Sequence, residues 1–349
     1  MSEADNETTG QQPLRVGLIA DAESLASLAD AAMACPMQVV AQAGTRQPES
    51  LPGVEWYDDT RVMIAQSGVE AVLLSTSVRA GVQLGKTAVE HGVHVWRPPP
   101  LARSFAEAAE VVRLAQGSAP VYRVASWWDH IAKDVGWATG RCEGYKPRFS
   151  EIRVSAPGPS MQSWRASTVD AGGGVLTAEA YDLLEALIAL RQLPESLSAA
   201  IGNYRHKTGE ARRETEDVAA AILRYHEGGM AAIQASWDIP PFQRVAYHHG
   251  VEATVLLDEC GVAVRSAEGK TLHERRWPAG VRVGELRGFV AAVRSAGQRP
   301  ESEPEPDLTL ERHLAVSALL EALFLSARTR QPETPGKLYE VQGWREPRL

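Results

Sequence analysis

The chain has 349 residues and a formal net charge of −8, with 44% apolar and 23% charged residues. This length holds two domains with substantial cores, and the composition is typical of a soluble globular protein. The acidic balance argues against a broad nucleic-acid interface, and no apolar run in the sequence approaches the ~20 residues that span a bilayer. We therefore predict neither a nucleic-acid partner nor a membrane partner.

The cysteines and the N-terminal residues indicate the cellular compartment in which we expect the protein. Cys35, Cys142 and Cys260 are isolated from one another, so neither a disulfide framework nor a cysteine metal cluster is predicted. Residues 1–12 are polar and acidic and lack the basic and apolar blocks of a signal peptide. We expect a disordered tail over 1–12 and a cytoplasmic protein with reduced thiols.

Short apolar runs alternate with helical patterns over the first third of the chain. The runs are continuous rather than alternating, as in strands that are buried on both faces of a parallel sheet. Their order predicts a doubly wound parallel sheet in a first domain over 13–125. The predicted strands are 14–19, 37–43, 71–75, 93–96 and 121–126, and the predicted helices are 24–34, 61–66, 81–91 and 105–115.

The pattern changes beyond about residue 126. Most later strands alternate apolar and polar residues and are joined by tight turns, which predicts an antiparallel or mixed sheet with one face covered by helices. This is the predicted second domain, over 126–349. Its predicted strands are 150–156, 198–204, 217–225, 230–237, 243–250 and 254–258, and its helices are 174–190, 285–295 and 308–328, with an exposed loop over 297–307.

Several motifs follow one another in a characteristic order and spacing. They are GVHV at 92–95 followed by PLA at 100–102, GGGVL at 172–176, EDVAA at 216–220, EGG at 227–229 and ASW at 235–237. In these motifs the chain resembles the Gfo/Idh/MocA family, the glucose-fructose oxidoreductase and inositol dehydrogenase group. The resemblance implies an N-terminal Rossmann domain, a C-terminal α/β domain with a large open sheet, and hydride transfer between NAD(P) and a sugar or polyol.

The phosphate-binding loop departs from the pattern that the resemblance implies. A dinucleotide fold uses Gly-x-Gly-x-x-Gly after the first strand, so that the diphosphate approaches the backbone closely. This chain has Ala20 and Ala22 at the first two glycine positions and Leu25 at the third. Asp21 and Glu23 add negative charge there, and both suit the first turn of a helix, which favours a capping role over phosphate binding.

The remaining candidate cofactor positions lie after the second and third strands. Arg46 suits the 2′-phosphate of NADP, although a solvated loop arginine explains it equally well. Thr76 and Arg79 follow the strand at 71–75, at the edge where open α/β sheets bind ligands. With Ala20 and Ala22 they complete the candidate cofactor residues. We predict no cofactor from these motifs, and NADP rather than NAD if one binds.

The catalytic residues of the family are replaced as well. By the resemblance, Pro99 stands at the position of a catalytic lysine, Pro98 at that of the preceding glutamate, and Asp182 at that of a histidine. Proline supplies neither a side-chain donor nor an N–H. Arg97 can orient a substrate but does not readily release a proton. If the chain is an enzyme, we expect Asp182 to act as the base and Arg97 as the anchor.

A ligand cleft is expected where the two domains meet. Trp128, Glu179 and Tyr181 are the candidate cleft residues, because aromatic faces stack on sugar rings and carboxylates accept hydrogen bonds from sugar hydroxyls. Core packing explains the tryptophan equally well. His248 and His249 point to opposite faces of one strand, so we predict no metal site there.

Two interpretations of function follow. In the first, which the site residues favour, the chain is a catalytically degenerate family member that binds a sugar-like or anionic small molecule or acts in assembly. In the second, which the fold favours, it is an NADP-dependent sugar or polyol oxidoreductase with a rebuilt site. The resemblance also implies a homo-oligomer, dimer or tetramer, to which the strands at 230–237 and 243–250 contribute.

Overall fold

The computed structural model of the chain describes residues 12–44, 51, 53–140, 145–203, 213–277, 281–296 and 308–347. Its strands form a six-stranded parallel sheet and an eight-stranded, mostly antiparallel sheet. The predicted fold class is confirmed, with the doubly wound parallel sheet first and the α+β part second. The predicted tail over 1–12 (apart from residue 12), the predicted loop over 297–307 and Arg46 lie outside the described residues.

The first sheet has the strand order β3-β2-β1-β4-β5-β6. Its strands and helices are β1 (Leu14–Ala20), α1 (Ala22–Met33), β2 (Met37–Ala43), β3 (Glu55–Tyr57), α2 (Thr60–Gln66), β4 (Ala71–Ser75), α3 (Val78–Glu90), β5 (His94–Arg97), α4 (Phe105–Gln116) and β6 (Tyr122–Val124). The order reverses between β1 and β4, and open sheets bind ligands outside the carboxyl ends of the strands at such a point. The edge strand β3 was not predicted, because its short sequence has no distinct pattern.

Polar caps set the starts of the helices on this sheet. Asp21, Asp59, Ser77 and Ser104 precede α1, α2, α3 and α4, and each side chain accepts a hydrogen bond from an amide in the first turn. Such caps satisfy amides that have no partner within the helix. The local sequence therefore determines where these helices begin.

The second sheet has the strand order β14-β13-β12-β11-β7-β10-β9-β8. The remaining elements are α5 (Trp127–Gly140), β7 (Phe149–Ala156), α6 (Thr168–Ala171), α7 (Val175–Ala178), α8 (Tyr181–Arg191), β8 (Ser196–Gly202), β9 (Val218–Arg224), β10 (Met230–Trp237), β11 (Gln243–His249), β12 (Ala253–Asp258), β13 (Gly261–Ser266), β14 (Thr271–Arg276), α9 (Val281–Ala296), α10 (Leu308–Thr329) and α11 (Gly336–Val341). One face packs on helices, and along β9 and β10 the residues alternate between buried and more exposed, as predicted.

The helix predicted over 174–190 is interrupted. The single turn α7 ends at Ala178, and α8 begins anew at Tyr181. The buried carboxylate of Glu216 accepts the amide N–H groups of Gly174 and Leu176, at 2.6 and 3.1 Å, and holds the start of α7 against the second sheet. A tertiary hydrogen bond of this kind has no counterpart in helical periodicity.

Helix α9, although it lies late in the chain, packs against the first sheet. Its buried residues Leu286, Phe289 and Val290 share one hydrophobic cluster with Leu18 and Leu28 of β1 and α1. The predicted domain limits, 13–125 and 126–349, stay a prediction, and within the second range α9 makes its apolar contacts with the first sheet. This packing brings the N-terminal end of α9 to the carboxyl end of β5. Among the described residues, no helix is both long and apolar enough to cross a membrane.

Candidate functional site

Two neighbouring cavities open at the carboxyl end of β5, where Pro98 and Pro99 follow the strand. The large cavity has a volume of about 380 Å³, and residues of both sheets and of α9 line it. The small cavity has a volume of about 110 Å³ and lies between β4, α3 and the segment after β7. Pro98, Pro99 and Arg282 belong to the walls of both. The two cavities are therefore adjacent parts of one cleft.

Asp182 lies in the wall of the large cavity, in the first turn of α8. Its Oδ2 atom is 3.0 Å from Nη2 of Arg244, which comes from β11. The negative charge of the candidate base is therefore engaged with a guanidinium. Arg244 was not among the predicted site residues, because only the fold brings β11 to this point.

Glu285 is a second carboxylate at the large cavity that the sequence analysis did not single out. Burial raises the pKa of this group to about 7, and the neighbouring carboxylate of Asp182 adds to the increase. The helix that carries Glu285 was predicted, but its packing against the first sheet was not. A carboxyl group whose pKa lies near neutrality in a cleft is a functional-site candidate.

Of the three predicted cleft residues, Trp128, Glu179 and Tyr181, only Tyr181 lines the large cavity. The hydroxyl of Tyr181 is 3.1 Å from Nδ1 of the buried His313. Trp128 packs against the main hydrophobic core, and the structure places Trp127 in the cavity wall instead. Glu179 is not in that wall either; its Oε1 is 3.5 Å from the indole nitrogen of Trp237.

Arg97 is buried, with 3% of its surface exposed, and it lines the small cavity. Its Nη1 donates a hydrogen bond to the Leu101 carbonyl at 3.2 Å. No carboxylate among the described residues pairs with it. Thr76 lines the same cavity, whereas Arg79, also a candidate, is exposed on α3 and lies outside the cavity wall.

The N-terminal end of α1 is covered by the second part of the chain. Asp21, between Ala20 and Ala22, accepts the Ser24 amide at 2.9 Å, which confirms the predicted cap. Its other carboxylate oxygen accepts a hydrogen bond from the indole N–H of Trp164 at 3.1 Å. Trp164 belongs to a short 3₁₀ helix, Trp164–Ala166, that lies between β7 and α6.

A second contact reinforces this cover. Arg165 is 3.6 Å from Glu23 in the first turn of α1 and packs over the Trp164 ring at 4.4 Å from its centroid. Leu25 is buried in the hydrophobic cluster of the first sheet. The two carboxylates at this helix end, one of them hydrogen-bonded to an indole, oppose rather than attract the diphosphate of a dinucleotide.

A cluster of polar side chains surrounds Glu185 on α8, the helix that also carries Asp182. Glu185 on α8 accepts a hydrogen bond from the Ser126 hydroxyl at 2.6 Å and is 3.3 Å from Nε of Arg312. Arg312 also pairs with Asp129, which pairs in turn with Arg123 at 2.6 Å. Burial raises the pKa of Glu185 to about 8, outweighing the opposite effects of the hydroxyl and the guanidinium.

The triple glycine is required by close packing. Gly172 has a φ of +82°, and a β-carbon there would lie 2.6 Å from the backbone of Arg103. A β-carbon at Gly174 would lie 2.0 Å from the carbonyl oxygen of Glu216. These glycines therefore let the chain pass close to the backbone of Arg103, before α4, and of Glu216, before β9. In the described part of the chain, no three His, Cys, Asp or Glu side chains are arranged to hold a metal ion.

The fold and cleft define a class of protein: a dinucleotide-type parallel sheet joined to a large open sheet, with the cleft at the strand ends between them. Two family models match the chain. Residues 16–126 match an oxidoreductase family with an NAD-binding Rossmann fold, and residues 146–255 match the GFO/IDH/MocA C-terminal domain. The chain belongs to the Gfo/Idh/MocA oxidoreductase family.

Individual relatives are distant. A 1,5-anhydro-D-fructose reductase of Ensifer adhaerens is 24% identical over 265 residues, which cover 73% of this chain and 78% of the relative. A levoglucosan dehydrogenase solved with NADH and levoglucosan is 17% identical with a TM-score of 0.76, covering 93% of this chain and 99% of its own. An aldose-aldose oxidoreductase of Caulobacter crescentus is 16% identical with a TM-score of 0.76, covering 92% and 99%. These similarities to solved structures establish the fold.

Proposed function

We propose that this family member binds a small sugar-like molecule in the cleft and does not transfer hydride. The observation that carries the proposal is the cover over α1, in which Asp21 and Trp164 join the two parts of the chain at the place where a dinucleotide diphosphate is expected. Because Asp21 and Glu23 already occupy that helix end, it offers little attraction to the diphosphate of a dinucleotide lying on α1.

The residues beside the cleft support the same proposal. Pro98 and Pro99 supply no proton donor at the carboxyl end of β5. Asp182, the candidate base, is held by Arg244. The site therefore retains polar groups suited to binding a ligand and has proline where the resemblance implies a lysine beside the substrate hydroxyl.

Ligand binding is supported by the size and lining of the large cavity. A volume of about 380 Å³ lies within the range of ~300–1,000 Å³ that is usual for small-molecule sites. Trp127 brings an aromatic side chain to the wall, and Asp182, Arg244 and Glu285 bring ionisable hydrogen-bonding groups. The names of the relatives, among them an anhydrofructose reductase and a levoglucosan dehydrogenase, support a sugar-like ligand.

Titration with NADPH and with NADH, followed by nicotinamide fluorescence, tests the proposal. We expect no saturable binding of either dinucleotide at micromolar concentration. Binding of that strength would contradict the proposal for the phosphate loop, and turnover of a sugar or polyol with the bound cofactor would contradict it altogether. A variant with Trp164→Phe is the matched comparison, because it removes the indole donor to Asp21 and keeps an aromatic ring.

A second function, an NADP-dependent sugar or polyol oxidoreductase with a rebuilt site, is favoured by one observation. Glu285 and Asp182 both line the large cavity, and the pKa of Glu285 near 7 suits a group that exchanges a proton at neutral pH. Under this function Asp182→Asn and Glu285→Gln each abolish turnover, whereas Glu110→Gln on the exposed face of α4 leaves it unchanged. The absence of turnover in the parent protein excludes this second function.

We further propose that the open face of the second sheet joins two copies of the chain. Ile222 and Met230 of β9 and β10 are 46% and 42% exposed. On β11 the rings of Tyr247 and His249 are stacked, with centroids 5.9 Å apart. An exposed apolar sheet face of this kind is typical of an interface. Sedimentation equilibrium tests the proposal, and a monomer at micromolar concentration contradicts it.

A further inference from the structure

Positively charged side chains line the small cavity. Three guanidinium groups, those of Arg97, Arg165 and Arg282, belong to its wall, and no carboxylate of the described residues does. Arg165 is partly neutralised by Glu23 at 3.6 Å, so Arg97 and Arg282 supply most of the positive charge. The first turn of α3 lies against the same space through Val78 and Gly81. The amino end of a helix carries a partial positive charge, so the cavity combines two kinds of positive potential.

Arg97 makes the charge of this cavity unusual. Its side chain is almost entirely buried, and its hydrogen bond to the protein goes to the carbonyl of Leu101. A guanidinium has several N–H donors, and burying such a cation is unfavourable unless an anion accepts them. The protein thus holds a buried cation whose donors are largely unused by its own described residues.

The Arg97 guanidinium lies at the start of α3, which makes the burial of its charge still less favourable. A β-carbon at Gly81 would lie 3.2 Å from both Cζ and Nη2 of Arg97, so the group sits directly on the first turn of α3. A positive side chain at the positive end of a helix is repelled rather than stabilised. The glycine leaves space for this arrangement, and an anion in the cavity would offset both positive charges.

The other groups around the cavity suit a tetrahedral oxyanion. Ser24, Ser75 and Thr76 belong to its wall beside the arginines. Hydroxyl and guanidinium donors that converge from several elements are typical of phosphate sites. A volume of about 110 Å³ is suited to a single phosphate group rather than a dinucleotide.

We propose that the small cavity binds the phosphate of a small phosphorylated sugar-like molecule, with Arg97 as its main anchor and the sugar body in the large cavity. This inference rests on the proposed ligand-binding function. The shared walls at Pro98, Pro99 and Arg282 allow one ligand to occupy both cavities. The guanidinium groups of Arg97 and Arg282, with the start of α3, favour a dianionic phosphate over a singly charged carboxylate.

Calorimetric titration of the full chain at matched ionic strength tests the proposal with four probes: inorganic phosphate, glucose 6-phosphate, glucose and gluconate. We expect saturable binding of phosphate, and tighter binding of glucose 6-phosphate than of either uncharged glucose or the carboxylate gluconate. Absence of saturable phosphate binding would overturn the proposal, and so would gluconate that binds more tightly than glucose 6-phosphate.

Variants of Arg97 identify the anchor. Arg97→Met should weaken phosphate binding by about 100-fold, since it removes a desolvated charge partner. Arg79→Met, the same change at an exposed position of α3, should alter binding by no more than about twofold. Arg97→Lys keeps the charge and loses the planar fork, so it should cost about tenfold and remains informative if the methionine variant does not fold.

The outcomes separate this inference from the proposed function. Equal losses in Arg97→Met and Arg79→Met would overturn the assignment of Arg97, whatever the parent protein does with dinucleotides. Binding and turnover of NADPH would overturn the proposed function, while phosphate binding that depends on Arg97 and is not displaced by NADPH would still support this site. Displacement of phosphate by NADPH that also depends on Arg97 would overturn both, because the cavity would then be part of a nucleotide site.

Discussion

The contact between Asp21 and Trp164 allows a direct test of the proposed cover over the phosphate loop. The two residues are 143 positions apart in the chain, and the indole N–H donates to Oδ2 of Asp21 at 3.1 Å while Oδ1 caps α1. Replacing Asp21 by alanine removes both interactions. Replacing Trp164 by phenylalanine removes the indole donor and keeps an aromatic ring beneath Arg165.

The expected losses follow from the two interactions. An aspartate cap contributes about 1 kcal/mol relative to alanine. A hydrogen bond to a charged acceptor contributes about 1.5 kcal/mol, less where solvent reaches it. We expect Asp21→Ala to lower the free energy of unfolding by about 2 kcal/mol and Trp164→Phe by about 1 kcal/mol. In a double-mutant cycle the two residues should show a coupling of about 1 kcal/mol.

Urea unfolding followed by far-UV circular dichroism measures these losses without relying on tryptophan emission. Ser104→Ala is the matched control, because Ser104 caps α4 through the Glu107 amide at 3.2 Å. This control should cost about 1 kcal/mol and should not couple to Trp164→Phe. A coupling between Asp21 and Trp164 below about 0.3 kcal/mol would refute the cover over α1 and with it the main support for the proposed function.

Three further predictions concern the packing and the charges around the cleft. Gly174→Ala should destabilise the chain by about 3 kcal/mol in thermal unfolding, because its β-carbon would lie 2.0 Å from the carbonyl oxygen of Glu216; an unchanged melting temperature would contradict the packing. Glu185 has a folded pKa raised to about 8 from 4.5, so the stability contributed by its protonated form is fully present below its unfolded pKa and is lost as the pH rises through the folded value. Glu185→Gln stays neutral, so its stability relative to the parent should increase between about pH 5 and about pH 8 in urea unfolding, and a constant difference would contradict the pKa. Without ligand, Arg97→Met should raise the free energy of unfolding by about 1 kcal/mol, because it removes an unpaired buried charge, whereas Arg79→Met should be neutral; a large loss in the first would show that Arg97 has a structural partner.

Many elements could be predicted because their pattern is local. The strands Met37–Ala43, Ala71–Ser75 and Met230–Trp237 have the predicted limits to the residue, since each is a distinct apolar or alternating run bounded by turns. Strands β13 and β14 were not predicted. The outermost strand, β14, is largely exposed and charged and so lacks a buried face. The helix across 174–190 was wrong in one respect, the break before Tyr181.

The residues of the site were predicted less completely than the strands and helices. Asp182, Tyr181 and Arg97 were singled out from the resemblance and do line the cleft. Trp128 and Glu179 were expected there as well, but side-chain direction at the junction of two domains depends on how the second sheet meets the first. Arg244 and Glu285 were missed, since neither lies near a motif.

The sequence by itself determined the alternation of strands and helices, the caps that begin the first helices, the family, and the departures from its glycine and lysine pattern. These are properties of neighbouring residues, which periodicity, caps and motifs report directly. Only the tertiary structure decided that Trp164 covers Asp21, that Arg244 holds Asp182, and that Arg97 is buried without a carboxylate partner among the described residues. The physical reason is that burial and charge pairing depend on which distant segments meet, and their energy is set by the solvent they exclude together.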